Sequence, residues 1–253
     1  NDSIYAGQGD DIVYAGSGDD FVSGGTGNDL LDGEQGDDEI SGGSGNDILI
    51  GGTGDDNVKG DSGDDLFIAL SNDGDDHYDG GDDVDTLDLS AITSDTDINL
   101  AAGTASGAEI GTDEVLNFEN VVAGRGNDTI TANENVNSLW GNFGEDIFVF
   151  LSGNNSGKGS GHRDRIEDFE VGDKIDISLM DGNHGEDGLQ RLSFKYDQAE
   201  FDGVGQVLYK YENNDTTEFT LLRFKYDEDD LDEADFEIEI TGRHVFTEDN
   251  LIT

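Results

Sequence analysis

AGQGDDIVY, AGSGDDFVS, GGTGNDLLD, GEQGDDEIS, GGSGNDILI, GGTGDDNVK and GDSGDDLFI follow one another without a break from residue 6 to residue 68. A truncated copy, NDSIY, precedes them. Glycine holds the fourth place of each nonapeptide, from Gly9 and Gly18 to Gly54 and Gly63, and aspartate holds the sixth. The eighth is always apolar: Ile4, Val13, Val22, Leu31, Ile40, Leu49, Val58 and Phe67. Glycine admits positive φ and a tight turn whose carbonyls can face inward, and an aspartate closing that turn adds a hard carboxylate oxygen. The three residues after it make a short strand whose middle member points to the core, because side chains alternate along a strand. The expected fold is therefore all-β, a parallel β-roll, or β-solenoid, of nonapeptide repeats.

Two nonapeptides complete one coil, so like positions return every 18 residues and stack at roughly 4.8 Å. Asp11, Asp29, Asp47 and Asp65 then line one edge, and Asp2, Asp20, Asp38 and Asp56 the other. Carboxylates at that spacing repel unless cations lie between successive turns. A disordered glycine-aspartate linker would not need an apolar residue at every eighth place. An acidic surface adapted to salt would scatter its carboxylates without phase.

Composition points the same way. Only 33% of the 253 residues are hydrophobic, and 61 Asp and Glu against 12 Lys and Arg give a formal charge of -49. A compact chain with that charge repels itself unless cations are bound. The same acidity argues against nucleic acid and anionic membrane surfaces, which recruit Lys and Arg. There is no Cys, hence no disulfide or thiolate metal site. No run of about 18 apolar residues occurs, so membrane insertion is not expected.

The copies resemble the GGxGxDxUx repeat of the RTX family, in which U is a large apolar residue and the turns bind calcium. The phase slips by two residues at Ala69-Leu70, after which SNDGDDHYD places Asp76 and Tyr78 in the sixth and eighth positions. GGDDVDTLD follows with Asp85 and Leu87, but Asp83 replaces the turn glycine there, which puts a calcium site at that turn in doubt. Residues 86–122 read as looser coils continuing the solenoid. A second block, AGRGNDTIT, ANENVNSLW and GNFGEDIFV, keeps Asp128 and Asp146; its middle copy has Asn135 and Asn137 instead, predicting at most weak binding.

The run from GNFGEDIFVF through Asp164-Arg165-Ile166-Glu167-Asp168-Phe169 to Gly172-Asp173-Lys174-Ile175-Asp176-Ile177-Ser178 is similar to the C-terminal domain of serralysin-type proteases and to alginate epimerase repeat modules. Beyond Leu192 the apolar residues alternate, predicting half-buried strands. The final ADFEIEITGRHVFTEDNLIT resembles the uncleaved C-terminal signal of type I secretion substrates. The chain divides into a first calcium block (1–68), irregular coils (69–122), a short second block (123–150) and a β-rich cap with a secretion segment (151–253).

No HExxH, GxSxG or P-loop element is present, and the four histidines, expected at the surface, are far apart in sequence. The chain therefore reads as a non-catalytic module. Its metal ligands are expected at Asp2, Asp11, Asp20, Asp29, Asp38, Asp47, Asp56, Asp65, Asp76, Asp85, Asp128 and Asp146, with roughly 6 calcium ions in the first block. The resemblance implies a secreted bacterial protein, extracellular or at the cell surface, whose tail folds on calcium and engages a type I secretion apparatus. The chain opens inside a repeat, which reads as the continuation of an upstream domain. The epimerase likeness keeps a carbohydrate-binding or substrate-positioning module open. Finally, the seventh places on one sheet (Ile12, Leu30, Ile48 and Leu66) and the ninth (Tyr14, Asp32, Ile50 and Ile68) form a largely apolar outer stripe, expected to be covered by the segment after Ser152 or by the upstream domain.

Overall fold

The nonapeptide becomes a turn and a strand because its glycines take backbone angles closed to other residues. Gly43 and Gly45 have φ of 112° and 119°, and the second and fourth places of most copies repeat this. The computed structural model describes residues 1–151, 161–179, 193–196, 206–213, 217–225, 234 and 236–252. They form two compact units, Asn1–Ile130 and Thr131–Thr253.

In the first unit Ser3–Gln8, Phe21–Thr26, Glu39–Ser44, Asn57–Ser62 and His77–Asp79 pair in parallel as one sheet. Ile12–Ser17, Leu30–Gln35, Ile48–Ile50, Leu66–Ile68, Thr86–Asp88 and Asn120–Val122 pair in parallel as the other. Register advances by 18 residues per coil, as in Val22↔Ile40↔Val58 and Leu31↔Leu49↔Phe67. Those eighth-place side chains are at most 1% exposed and constitute the core between the sheets. Many strands run six residues, longer than the three expected, because the extended backbone carries on into the first three places of the next copy. Phe67, Tyr78 and Phe118 widen the core beyond the slip, with ring centroids 6.0 Å and 4.9 Å apart.

The looser coils of 86–122 are a correction to the parallel pattern. Thr96–Asn99, Thr104–Gly107 and Gly111–Leu116 run antiparallel before the last returns to parallel pairing with His77–Asp79. This segment lacks the glycine-x-glycine turn, and single glycines at positive φ, Gly103 and Gly111 (both 72°), reverse the chain in place.

In the second unit Ile147–Val149, Lys174–Asp176 and Leu251–Ile252 pair in parallel. A second sheet runs from Ser138–Trp140 through Asp164–Ile166 and Phe236–Thr241 to Glu218–Lys225, Gln206–Asn213 and Ser193–Tyr196. Phe236–Thr241, Glu218–Lys225 and Gln206–Asn213 are not half-buried as the alternation predicts, while Leu192 lies outside the described residues. Phe236, Ile238 and Ile240 are buried, and so are Glu237 and Glu239 on the opposite face, where Arg163, Arg165 and Arg223 pair with them at 2.7–3.1 Å. Ion pairing lets charged residues occupy a buried face that periodicity assigns to solvent.

The apolar stripe exists: Ile12 and Tyr14 are 69% and 61% exposed, and Leu30, Ile48, Ile50, Leu66 and Ile68 are half-buried. The expected cover begins at residues 152–160, outside the described residues.

Candidate metal centre

Each sixth-place aspartate is tied to the turn one coil earlier. The backbone NH of Asp29 donates to Asp47 Oδ1 at 2.7 Å, that of Asp47 to Asp65 at 2.7 Å, and that of Asp65 to Asp85 at 2.9 Å. On the other edge Asp2, Asp20, Asp38 and Asp56 donate in turn to Asp20, Asp38, Asp56 and Asp76 at 2.5–2.8 Å. Each edge is thus a column of carboxylates, and those from Asp20 to Asp65 are 1–3% exposed. Asp2 is exposed and Asp11 half-buried.

One oxygen of each carboxylate is satisfied in this way. The other, Oδ2 of Asp11, Asp20, Asp29, Asp38, Asp47, Asp56, Asp65 and Asp85, is buried with no hydrogen-bond partner. Its surroundings are oxygen-rich. A Cβ placed on Gly42 would lie 2.4 Å from Asp47 Oδ2 and 2.9 Å from the Gly60 carbonyl; on Gly60 it would lie 2.2 Å from Asp65 Oδ2 and 2.4 Å from the Gly80 carbonyl. The carboxylate oxygen and the next coil's carbonyl therefore converge above a residue with no side chain. A buried anionic oxygen beside another acceptor, with no donor, is strongly unfavourable unless a proton or a cation joins them.

The ionisation equilibria register that cost. Burial, with repulsion from the stacked aspartates, pushes Asp47 and Asp65 up to about 6 and Asp56 and Asp85 to about 7, against the lowering effect of the backbone NH. Asp38 is raised by the same causes. Among the described residues no three His, Cys, Asp or Glu side chains converge into a metal group. A cation here would accordingly draw on backbone carbonyls, and an all-oxygen, partly carbonyl donor set fits Ca²⁺ and not a nitrogen- or sulfur-preferring metal.

The later turns depart from this geometry individually. Asp76 is closed off, since its Oδ2 accepts the Tyr78 hydroxyl at 2.6 Å. Asp85 keeps the regular arrangement despite Asp83: that residue takes φ 82° in place of glycine, and Asp85 Oδ2 lies over Gly80 beside the Asn117 carbonyl. Asp128 does not, because its oxygens accept the Thr96 NH and hydroxyl at 2.7 Å and the Gly124 NH at 3.0 Å. Asn137 accepts from the Asn133 NH and places a neutral amide where the repeats have a carboxylate. Asp146 Oδ2 lies over Gly141 as in the regular copies.

Comparison with known proteins matches this construction. A family model described as "RTX calcium-binding nonapeptide repeat (4 copies)" matches residues 1–31, 14–49 and 32–67. Another, "Peptidase M10 serralysin C terminal", matches residues 76–252. The chain belongs to the serralysin C-terminal family. Serralysin of Photorhabdus luminescens is 30% identical over 196 residues, covering 67% of this chain and 38% of the relative. This member of the serralysin C-terminal family thus spans well under half the length of that protein.

Several of its residues escape the nonapeptide pattern. Asp113 continues the second column by accepting the Asp76 NH at 3.0 Å, and Asp164 and Asp173 accept the NH groups of Asn137 and Asp146. Asp113 and Asp164 lie within strands and Asp173 just before one, in segments without the glycine-x-glycine turn, so spacing alone does not mark them. The fifth place is a second omission. Asn28, Asn46 and Asp64 donate their NH to the side chains of Asp10, Asn28 and Asn46 at 2.9–3.2 Å, an outer ladder running opposite to the inner one. Its signal was present, as all seven copies between residues 6 and 68 have Asp or Asn there. Of the histidines, His77 is partly exposed beside Glu114, His162 is exposed and His184 lies outside the described residues. His244 is half-buried against Phe169 and Phe246.

Proposed function

We propose that this chain is a calcium-folded tail through which a larger bacterial protein is exported and then locked into its folded state outside the cell. The observation that carries the reading is the column of buried, donorless Oδ2 atoms, with those of Asp29, Asp38, Asp47, Asp65 and Asp85 beside a carbonyl of the next coil. Extracellular calcium modules bind with dissociation constants on the order of 10⁻⁴ to 10⁻³ M, so the columns would stay charged and mutually repelling in a low-calcium cytoplasm and be bridged outside. The expected ligands are the sixth-place aspartates from Asp2 to Asp65, with Asp85 and Asp146.

The C-terminal segment fits this order of events. Leu251–Ile252 pairs with Lys174–Asp176, and a capping box on Thr247 fixes the short 3-10 turn before it. An export apparatus reading that segment would find it free only in the unfolded chain. The module would contribute binding and folding; catalysis would reside elsewhere in the larger polypeptide. For the carbohydrate-binding alternative one exposed ring in the C-terminal sheet is Tyr196, packed 5.2 Å and 5.4 Å from Tyr209 and Tyr211. A glycan array with the calcium-loaded chain separates the two readings.

Fusing the chain behind an inert passenger, in a bacterium with and without a type I apparatus, tests export. The passenger should reach the medium only with the apparatus, and passenger retained in both strains would refute the reading.

A further inference from the structure

The slip at Ala69-Leu70 widens one turn, and what it buries has no counterpart in the regular copies. Ala69 takes the buried first place that Gly60 and Gly80 hold in the flanking copies, and the chain needs two extra residues to reach Asp76. Asn72 turns through φ 64° and donates its NH to the Glu109 carbonyl at 2.6 Å, anchoring the turn to the antiparallel segment. The next residue is thereby carried inward. At the same third place Ser44 and Thr53 are exposed, whereas Asp73 is 1% exposed.

Asp73 Oδ2 accepts the Leu70 NH at 3.0 Å, and Oδ1 is buried with no partner. Its neighbours are also acids. Asp76 and Asp113, each 3% exposed, repel it and one another. Their oxygens are engaged elsewhere: Asp76 by the Asp56 NH and the Tyr78 hydroxyl, Asp113 Oδ1 by the Asp76 NH. Among the described residues no cationic side chain pairs with any of the three.

We infer that this widened turn is a divalent-cation site of its own, in which Asp73 Oδ1 supplies the anionic ligand that a sixth-place aspartate supplies in the regular copies. It rests on the reading of the chain as a calcium binder. Tyr78 makes the exchange necessary, because its hydroxyl takes the Asp76 oxygen that would otherwise face the ion. Among the described residues no three acidic side chains enclose the position, so the shell is completed by backbone carbonyls and water, which the large and flexible coordination sphere of Ca²⁺ accommodates. Burial accords with this, pushing Asp73 up to about 7 and Asp113 to about 8, so a charge left here uncompensated is costly at neutral pH.

Calorimetric calcium titration of the full chain tests the site. Asp73→Ser, which installs a side chain the regular copies carry at this place, should lower the number of ions bound by one. Asp73→Asn, sterically closer to the native residue, should do the same if the serine variant folds poorly. Terbium, a luminescent ion close in size to calcium, should show tyrosine-sensitised emission that falls in Asp73→Ser and in Tyr78→Phe. A native chain that binds no calcium would overturn the proposed function itself. A native chain that binds it, with both Asp73 variants binding the same number of ions and sensitising terbium equally, would overturn this site alone.

Discussion

Replacing Asp65 by Asn should move the calcium-free and the calcium-loaded protein in opposite directions. Asp65 is 2% exposed; its Oδ1 accepts the Asp47 NH at 2.7 Å, while Oδ2 has no donor and lies beside the Gly80 carbonyl. Asparagine keeps the first contact and sets an NH₂ group against that carbonyl, turning an acceptor pair into a hydrogen bond. The native carboxyl is pushed up to about 6 from 3.8, and two pKa units correspond to about 3 kcal/mol. That is an upper bound on what the neutral side chain returns to the metal-free fold above pH 7. With calcium present the variant lacks an anionic ligand, and a tenfold weakening, about 1.4 kcal/mol, is the minimum expected. Circular dichroism provides both readings. In chelator, the pH at which β signal is lost should rise; in calcium, the concentration giving half-maximal signal should also rise. A variant destabilised under both conditions would show that Asp65 is structural, and an unchanged calcium midpoint would show that it is no ligand.

The raised carboxyls set the pH dependence of the metal-free chain. Since Asp47, Asp56, Asp65 and Asp85 titrate near 6 to 7 when folded and near 3.8 when unfolded, the folded state holds more protons between those values, and its stability falls as pH rises through that window. Acid should therefore substitute for calcium: β signal in chelator should be greatest at about pH 4 and below and lost by about pH 8, and a flat profile would contradict the assignment. Asn46→Ala removes the acceptor of the Asp64 NH in the outer ladder and should cost about 1 kcal/mol in urea unfolding with the number of bound ions unchanged; a lost ion would make the fifth place a ligand. Glu34 holds φ 69° where most copies have glycine, so Glu34→Gly should raise the calcium-loaded melting temperature by relieving roughly 1 kcal/mol of backbone strain, partly offset by the freer unfolded chain. A lower melting temperature would mean that the strain is absent.

The repeat made the solenoid readable because three constraints recur in one nine-residue unit: glycine at positive φ, aspartate at the turn's end, and an apolar residue two places later. Where one lapses, spacing loses its force. Residues 96–116 reverse on isolated glycines, which no periodicity announces. Asp113 joins the second column, and Asp164 accepts the Asn137 NH in the second unit, through coil closures that skip the motif, and only the fold brings them there. Glu237 and Glu239 read as solvent-facing by alternation, yet Arg163 and Arg223, remote from them in sequence, bury them by pairing. Tyr78 is the clearest case, since its apolar ring satisfies the core position while its hydroxyl, invisible to a hydrophobic pattern, closes the neighbouring aspartate.

The central claim is that cations bridge the aspartate columns and that the fold depends on them. Titrating the metal-free chain with calcium at pH 7.5, with heat and circular dichroism followed together, tests it most directly. β signal should rise in step with the binding of several ions, about six of them in the first block, and magnesium at the same concentration should substitute poorly because it demands a tighter octahedral shell. A full β spectrum in chelator that calcium leaves unchanged, or saturation at one or two ions, would contradict the account.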